Sequence, residues 1–203
     1  MKGTFLVFIL LILGTLSAFC QDNIVMYNGK KVILHSDFTW EYLKSDSKQE
    51  PSRTIEVDIE NKRLINSDNG KYGVYIDDSI WQETSGMNVQ AGIQLKNSDD
   101  TAYAMVIYDG LEIPLESMQE LMILNASNLD PNSRILSSEK CLVGNLPGEL
   151  ITYTAESAGL NFIFFSFVTA SKKGTIQFTC FTLESVFEDL RDDFIDLISG
   201  FQF

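Results

Sequence analysis

Residues Leu160 to Val168 read LNFIFFSFV, apolar at nearly every position. A strand with one face in water alternates apolar and polar side chains. A run without alternation has both faces in the interior. The segment therefore predicts a sheet strand with something covering each side of the sheet. Two further strands are expected around it: Leu150 to Thr154, entered from a kink at Gly144-Asn145-Leu146-Pro147-Gly148, and Thr175 to Thr182.

The rest of residues 55–203 reads as one α+β domain. Asn66-Ser67-Asp68-Asn69-Gly70 is a turn, Tyr72 to Ile76 a strand, and Asp77-Asp78-Ser79 an acidic turn before Trp81. Ala91 to Leu95 and Ala102 to Tyr108 flank Asn97-Ser98-Asp99-Asp100 as a hairpin. A helix is expected from about Pro114 to Ala126, because Pro suits an opening turn and Leu115, Met118, Leu121 and Met122 recur at helical spacing. A second helix follows Ser185, where Ser185 and Glu188 match a capping box. Val186, Leu190, Phe194, Leu197 and Phe201 form its apolar stripe, with Phe187, Ile195 and Ile198 beside it. Its opposite face carries Glu184, Asp189, Arg191, Asp192, Asp193 and Asp196.

Ahead of this domain, residues 21–43 read as a small β-meander. Ile24 to Tyr27 turns at Asn28-Gly29, whose residues accept the positive φ of a type I′ turn, and returns through Val32 and Leu34. A further turn near Ser36 to Thr39 leads to Trp40-Glu41-Tyr42. So short a module cannot bury a core of its own. Residues 44–54 (KSDSKQEPSRT) read as a linker.

Residues 1–20 read as an export signal. Met1-Lys2 is positive, Phe5 to Leu13 is an apolar run too short to span a bilayer, and Ala18-Phe19-Cys20 sets small residues at −3 and −1 for cleavage before Gln21. This places the protein in the periplasm or outside the cell, in a bacterial envelope. A lipid anchor on Cys20 is the second reading, and Phe19 disfavours it, since a lipoprotein peptidase wants a small residue there. No transmembrane segment is expected in the mature chain.

Composition then narrows the function. Hydrophobic residues make up 45% of the chain, enough to build a core. The net charge is −13, and removing the signal takes away only one basic residue, Lys2. An acidic chain is a poor ligand for nucleic acid or anionic lipid, both of which require clustered Lys and Arg. It suits a basic partner.

No constellation for catalysis, cofactor or metal binding emerges. His35 is the only histidine, which excludes a His-based zinc site and leaves any Ser-His-Asp triad dependent on a residue of the small meander. The pairs Asp77-Asp78, Asp99-Asp100 and Asp192-Asp193 are adjacent in sequence, so their side chains point apart. Asn66 to Gly70 has its glycine one place early for a calcium loop and no glutamate at the twelfth position. Asn125-Ala126-Ser127 matches a glycosylation pattern at a helix end. Cys141 and Cys180 are an even pair in an exported chain, which suggests a disulfide. Strand register opposes it. With Cys180 across from about residue 164 and that from about 151, Cys141 falls on the order of 30 Å away along a straight strand. A bridge tolerates Cα atoms only ~7 Å apart. Two free, buried thiols are expected.

Three stretches carry a family resemblance. NGKYGVYIDDSIWQ, with Gly73, Ile76 and Trp81, resembles the opening strand of the PsbP-like superfamily, with Asp78 where proline is usual. GNLPGELITYT resembles its Gly-x-Pro-Gly-x-x-x-x-Tyr segment through Gly144, Pro147, Gly148 and Tyr153. GTIQFTCFTLESVFEDLRDDFIDLISGF resembles its final strand and helix. That superfamily includes lumenal photosystem II assembly subunits, a Ran-binding nuclear transport factor and bacterial DcrB-like proteins. The resemblance, over about residues 69–203, implies an antiparallel sheet flanked by helices on both faces. It also implies a protein that acts by binding other proteins. GKKVILHSDFTWEY, within 24–43, is similar to a Gly-Thr-Trp-type β module of exported bacterial proteins, with Phe38 replacing the turn glycine.

The expected function is thus a non-catalytic binding or assembly module with a protein partner and no cofactor. The alternatives are a carrier of a small apolar ligand, or an enzyme using unrecognised carboxylate chemistry. A deep apolar pocket favours the carrier, and a flat apolar patch the protein partner.

Overall fold

The computed structural model describes residues 23–27, 30–34, 39–42 and 51–203. The chain divides into two compact units, Met1–Lys48 and Gln49–Phe203. In the first, β1 (Asn23–Tyr27), β2 (Lys30–Leu34) and β3 (Trp40–Tyr42) form an antiparallel sheet in sequence order, with Val25 opposite Val32 and Val32 opposite Tyr42. The export segment with Cys20, the Asn28-Gly29 turn, His35 and Phe38 lie outside the described residues.

The second unit is mixed α+β and mostly strand. Its elements are β4 (Arg53–Ile55), β5 (Arg63–Asn66), β6 (Gly73–Ile76), β7 (Trp81–Glu83), β8 (Ala91–Asn97) and β9 (Ala102–Asp109), followed by α1 (Leu115–Ser127). Then come β10 (Arg134–Val143), β11 (Leu146–Ser157), β12 (Leu160–Ser171), β13 (Gly174–Leu183), a 3-10 turn at Glu184–Val186, α2 (Phe187–Ser199) and β14 (Phe201–Gln202). Eight strands form one sheet in the order β4-β10-β11-β12-β13-β9-β8-β7, and β14-β6-β5 form a small second sheet.

The expected run at 160–168 lies inside β12, in the interior of the large sheet. Its alternate residues serve two buried clusters. Ile163, Phe165 and Phe167 join the larger one, with Phe187, Phe194, Leu197 and Ile198 of α2. Val168 joins the smaller one, with Met118 and Met122 of α1 and Ile151 and Tyr153 of β11, and Phe164 packs against it. Rings knit the larger cluster: Phe165 lies 6.0 Å from Phe187 and 6.5 Å from Phe194, and Trp81 lies 6.2 Å from Phe194. Phe201 of β14 ties the small sheet to this cluster through Phe167 and Phe178.

Several expectations need correction. The large sheet is not wholly antiparallel, because β4 pairs in parallel with the end of β10 at Arg53–Cys141 and Ile55–Val143. Arg53 and Thr54 therefore belong to a strand, not to the linker. β10 was not expected. Its Ser137-Ser138-Glu139-Lys140 centre is polar, and a bulge between Ile135 and Ser137 breaks the period-two pattern. The segment from Gly144 to Gly148 is not a kink. Gly144, at φ +56°, turns a hairpin with Asn145, and Pro147 and Gly148 lie within β11. A β-carbon at Gly148 would collide with the Phe167 ring and the Val168 carbonyl, so glycine is what lets β12 approach there. The Ser185–Glu188 box does not form: Val186 is the N-cap, without a side-chain bond. Phe201 lies in β14, beyond the helix it was assigned to, and Leu121 of α1 is exposed rather than core.

Phe194 is fully buried and touches three other rings. Phe194→Ala is expected to cost about 3–5 kcal/mol of unfolding free energy in urea titrations. Trp81 is also buried, and its indole N–H finds no acceptor. Trp81→Phe, which discards that unmet donor, is expected to cost clearly less than Trp81→Ala in the same assay.

Candidate interaction face

The positions singled out for chemistry do not converge. Asp77 accepts hydrogen bonds from the Ser79 amide and hydroxyl, which hold its carboxyl below the usual range. Asp78 turns away to Arg63 at 2.9 Å, and Asp100 pairs with Lys96 at 2.7 Å. Burial, then the charges of Asp196 and Asp192, push the Asp193 carboxyl up. Among the described residues no group of three or more His, Cys, Asp or Glu could hold a metal ion.

Cys141 and Cys180 are free and buried. The reason differs from the expected one. The Gly144 hairpin folds β10 back beside β11, so Cys141 does not continue along a straight strand. It lies opposite Gly148 on β10, whereas Cys180 lies on β13, three strands away. At about 4.8 Å per strand this separation still exceeds disulfide reach. Burial pushes the Cys141 thiol up to about 12 and raises Cys180 further.

What the sheet does bring together is a row of aromatic rings. Tyr103 of β9 lies directly opposite Phe181 of β13, Phe181 opposite Phe164 of β12, and Phe164 opposite Tyr153 of β11. The rings stack at 5.4, 5.4 and 4.8 Å between centroids. Cross-strand aromatic pairs of this kind contribute roughly 0.5–1.5 kcal/mol each beyond area burial. At the Tyr153 end the row runs into the cluster beneath α1. At the Tyr103 end it does not: Tyr103 and Phe181 are half-buried and belong to neither cluster, as are Met105 and Ile107 next to them on β9.

β9 has an inverted size pattern. Ala102, Ala104 and Val106 are fully buried, while the larger Tyr103, Met105 and Ile107 face outward. That alternation, AYAMVIY, was the available signal for this face, since large residues on a strand's open side serve something other than the chain's own core.

A cavity separate from this row lies at the β10–β11 end of the sheet. It has a volume of about 460 Å³ between the start of α1 and the β10–β11 hairpin. Leu115, Leu142 and Pro147 give it apolar walls, and Glu116, Lys140 and Glu149 give it charges. Its lining mixes apolar and charged residues, whereas a carrier of a small apolar ligand is expected to have a deep apolar pocket.

Residues 3–107 match the family described as protein of unknown function DUF3157. The chain belongs to that family. No curated protein matches it in sequence. Among solved structures, cyanobacterial PsbP (CyanoP) from Synechocystis sp. PCC 6803 is similar with a TM-score of 0.51 and 12% identity, covering 69% of this chain and 91% of that one. The Ran-binding protein Mog1p of Saccharomyces cerevisiae has a TM-score of 0.49 at 5% identity, over 70% of this chain and 95% of that one. The fold of this DUF3157 member is PsbP-like, as the three sequence stretches implied.

For a chain beginning at Gln21, iodoacetamide at pH 8 is expected to label neither thiol in the folded state and both in denaturant. The raised thiol values also fix an alkaline dependence. The folded state keeps Cys141 protonated to about pH 12, whereas the unfolded thiol ionises near 9.0. The stability this contributes is complete below pH 9 and is lost as pH rises toward 12. Urea titrations at pH 8 and 10 should therefore show a smaller alkaline loss in Cys141→Ala than in the parent chain.

Proposed function

We propose that this protein is an exported, non-catalytic binding or assembly module of the bacterial envelope that contacts a protein partner through the open end of the aromatic row. The observation that carries the reading is the half-buried Tyr103–Phe181 pair with Met105 and Ile107, apolar surface held on a rigid sheet and left outside both buried clusters. Aromatic side chains and Met are the residues that protein interfaces concentrate. The PsbP-like fold fits this role, because members of that superfamily mostly bind other proteins.

The alternation of the two clusters along β11 and β12 supports a further point. Consecutive strand residues point to opposite faces, so α1 and α2 lie on opposite faces of the large sheet. On this reading α1 covers only the β10–β12 part of its face and leaves the β13–β9 part to the partner. The proposed organisation remains a signal at 1–20, a meander at 21–43, a linker shortened by β4, and the PsbP-like domain beyond it. Among the described residues no helix is long and apolar enough to cross a membrane.

The test compares affinity capture from native envelopes by the parent chain, by a Tyr103→Ser/Phe181→Ser variant and by Leu124→Ser, which alters a solvent-exposed residue of α1. One partner recovered by the parent and by Leu124→Ser, with roughly 30-fold weaker affinity for the double variant, is the expected result. Equal recovery by all three, or no partner in repeated captures, would sink the assignment.

A further inference from the structure

Glu149 is an unusual residue for its position. It sits on β11, is 9% exposed, and lines the cavity between α1 and the β10–β11 hairpin. Its side chain is held by neutral groups. Gln119 of α1 donates its Nε2–H to Oε1 at 2.6 Å, and the Ser138 hydroxyl of β10 donates to the same oxygen. Gln119 also donates to Ser138 Oγ at 3.0 Å, so the three side chains form a closed triangle that fixes the carboxylate. Both bonds end on Oε1. No described residue donates to Oε2, and no Lys or Arg among them lies within ion-pair distance of the side chain.

A carboxylate withdrawn from water is costly unless a cation or further donors compensate it. Here the scaffold supplies orientation without the counterion. The nearest cation in the register is Lys140, directly opposite on β10, and its ammonium makes no ion pair with Glu149. Around the carboxylate the cavity offers Leu115, Leu142 and Pro147 as apolar wall and Glu116 as a second acid. Apolar walls beside a fixed carboxylate match one chemistry, an alkyl stem that carries an ammonium or guanidinium group. The volume of about 460 Å³ leaves ample room for it.

We propose that this cavity binds an alkylammonium or alkylguanidinium group, with the cationic head on Glu149 Oε2 and the stem along Leu115, Leu142 and Pro147. The strong negative charge of the chain draws such ligands toward it. Lys140, in the cavity lining, carries the same charge as such a ligand and opposes its binding. The inference does not depend on the aromatic row, which is a different surface, so either can fail without the other.

The test is a titration followed by backbone NMR shifts of the chain from Gln21, with three probes: Nα-acetyl-arginine methylamide, spermidine, and uncharged Nα-acetyl-norleucine methylamide. The two cations are expected to shift the Gln119, Ser138 and Glu149 amides saturably, and norleucine is not. Tighter binding of the arginine probe assigns the site to a basic side chain of a polypeptide, and tighter binding of spermidine assigns it to a free polyamine. Glu149→Gln, whose folding is checked from the same spectra, is expected to weaken the cations by about tenfold. Lys140→Met, which removes a like charge from the cavity lining, is expected to strengthen them severalfold. Equal binding of norleucine and arginine, undiminished binding by Glu149→Gln, or weakened binding by Lys140→Met would each overturn the assignment. Should Glu149→Gln not fold, the norleucine comparison and Lys140→Met still decide.

Discussion

The structure depends on β12 being buried from both directions. Phe165 and Phe167 insert among Phe187, Phe194 and Phe201, while Val168 and Phe164 meet the cluster beneath α1. A strand that feeds two clusters cannot slip by one residue without exchanging their contents, so the register of the whole sheet is tied to it. Its neighbours adapt to it. Gly148 gives up its side chain where Phe167 and Val168 press in, and Ser166 and Thr179, fully buried on adjacent strands, bond to each other at 2.9 Å. Unpaired, each hydroxyl would cost more than the bond contributes.

That same strand explains why part of the fold was legible in the sequence. Uninterrupted hydrophobicity at 160–168, helical spacing at 187–198 and the Asn97–Asp100 turn are local signals, and each corresponds to an element in place. β10 carried no such signal, because an edge-side strand buries little. Only Cys141 and Val143 are buried, and the bulge at Ile135–Ser137 removes the alternation that would betray a strand. Missing β10 turned a hairpin into a kink, which in turn misplaced Cys141. Cys141 and Cys180 are separated across the sheet rather than along one strand, and that separation too is beyond disulfide reach. The Ser185–Glu188 pattern failed for a different reason: the chain leaves β13 through a 3-10 turn, which moves the helix start to Phe187.

The candidate face was harder to read than the core because it is built from core-like residues. Phe164 and Phe181 look alike in sequence, yet Phe164 packs against a buried cluster and Phe181 lies outside both. The doubly buried run at 160–168 implies that each side of the sheet is covered, and residues of β12 do join two buried clusters. That double burial does not extend to β9, where alanines fill the inside and Tyr103, Met105 and Ile107 stand outside. A sheet of eight strands is wider than one thirteen-residue helix can cover. The width that α1 leaves uncovered is therefore a consequence of the topology, and the Tyr103–Phe181 end of the aromatic row lies within it.

Charge is handled in two contrasting ways within the same domain. The Lys62 side chain is 6% exposed, and its ammonium reaches the Asp196 carboxylate at 2.7 Å and the Asp196 carbonyl at 3.4 Å. That burial is neutralised on the spot, and it joins the segment before β5 to α2. Glu149 is buried too, but its contacts are an amide and a hydroxyl, and among the described residues one of its oxygens takes no bond. A merely structural acid at this position would gain from the arrangement that Lys62 enjoys, and Lys140 stands directly across the ladder without forming it. Holding a carboxylate in a fixed orientation with neutral donors leaves its charge available. The place where it remains available is the lining of the cavity between α1 and the β10–β11 hairpin.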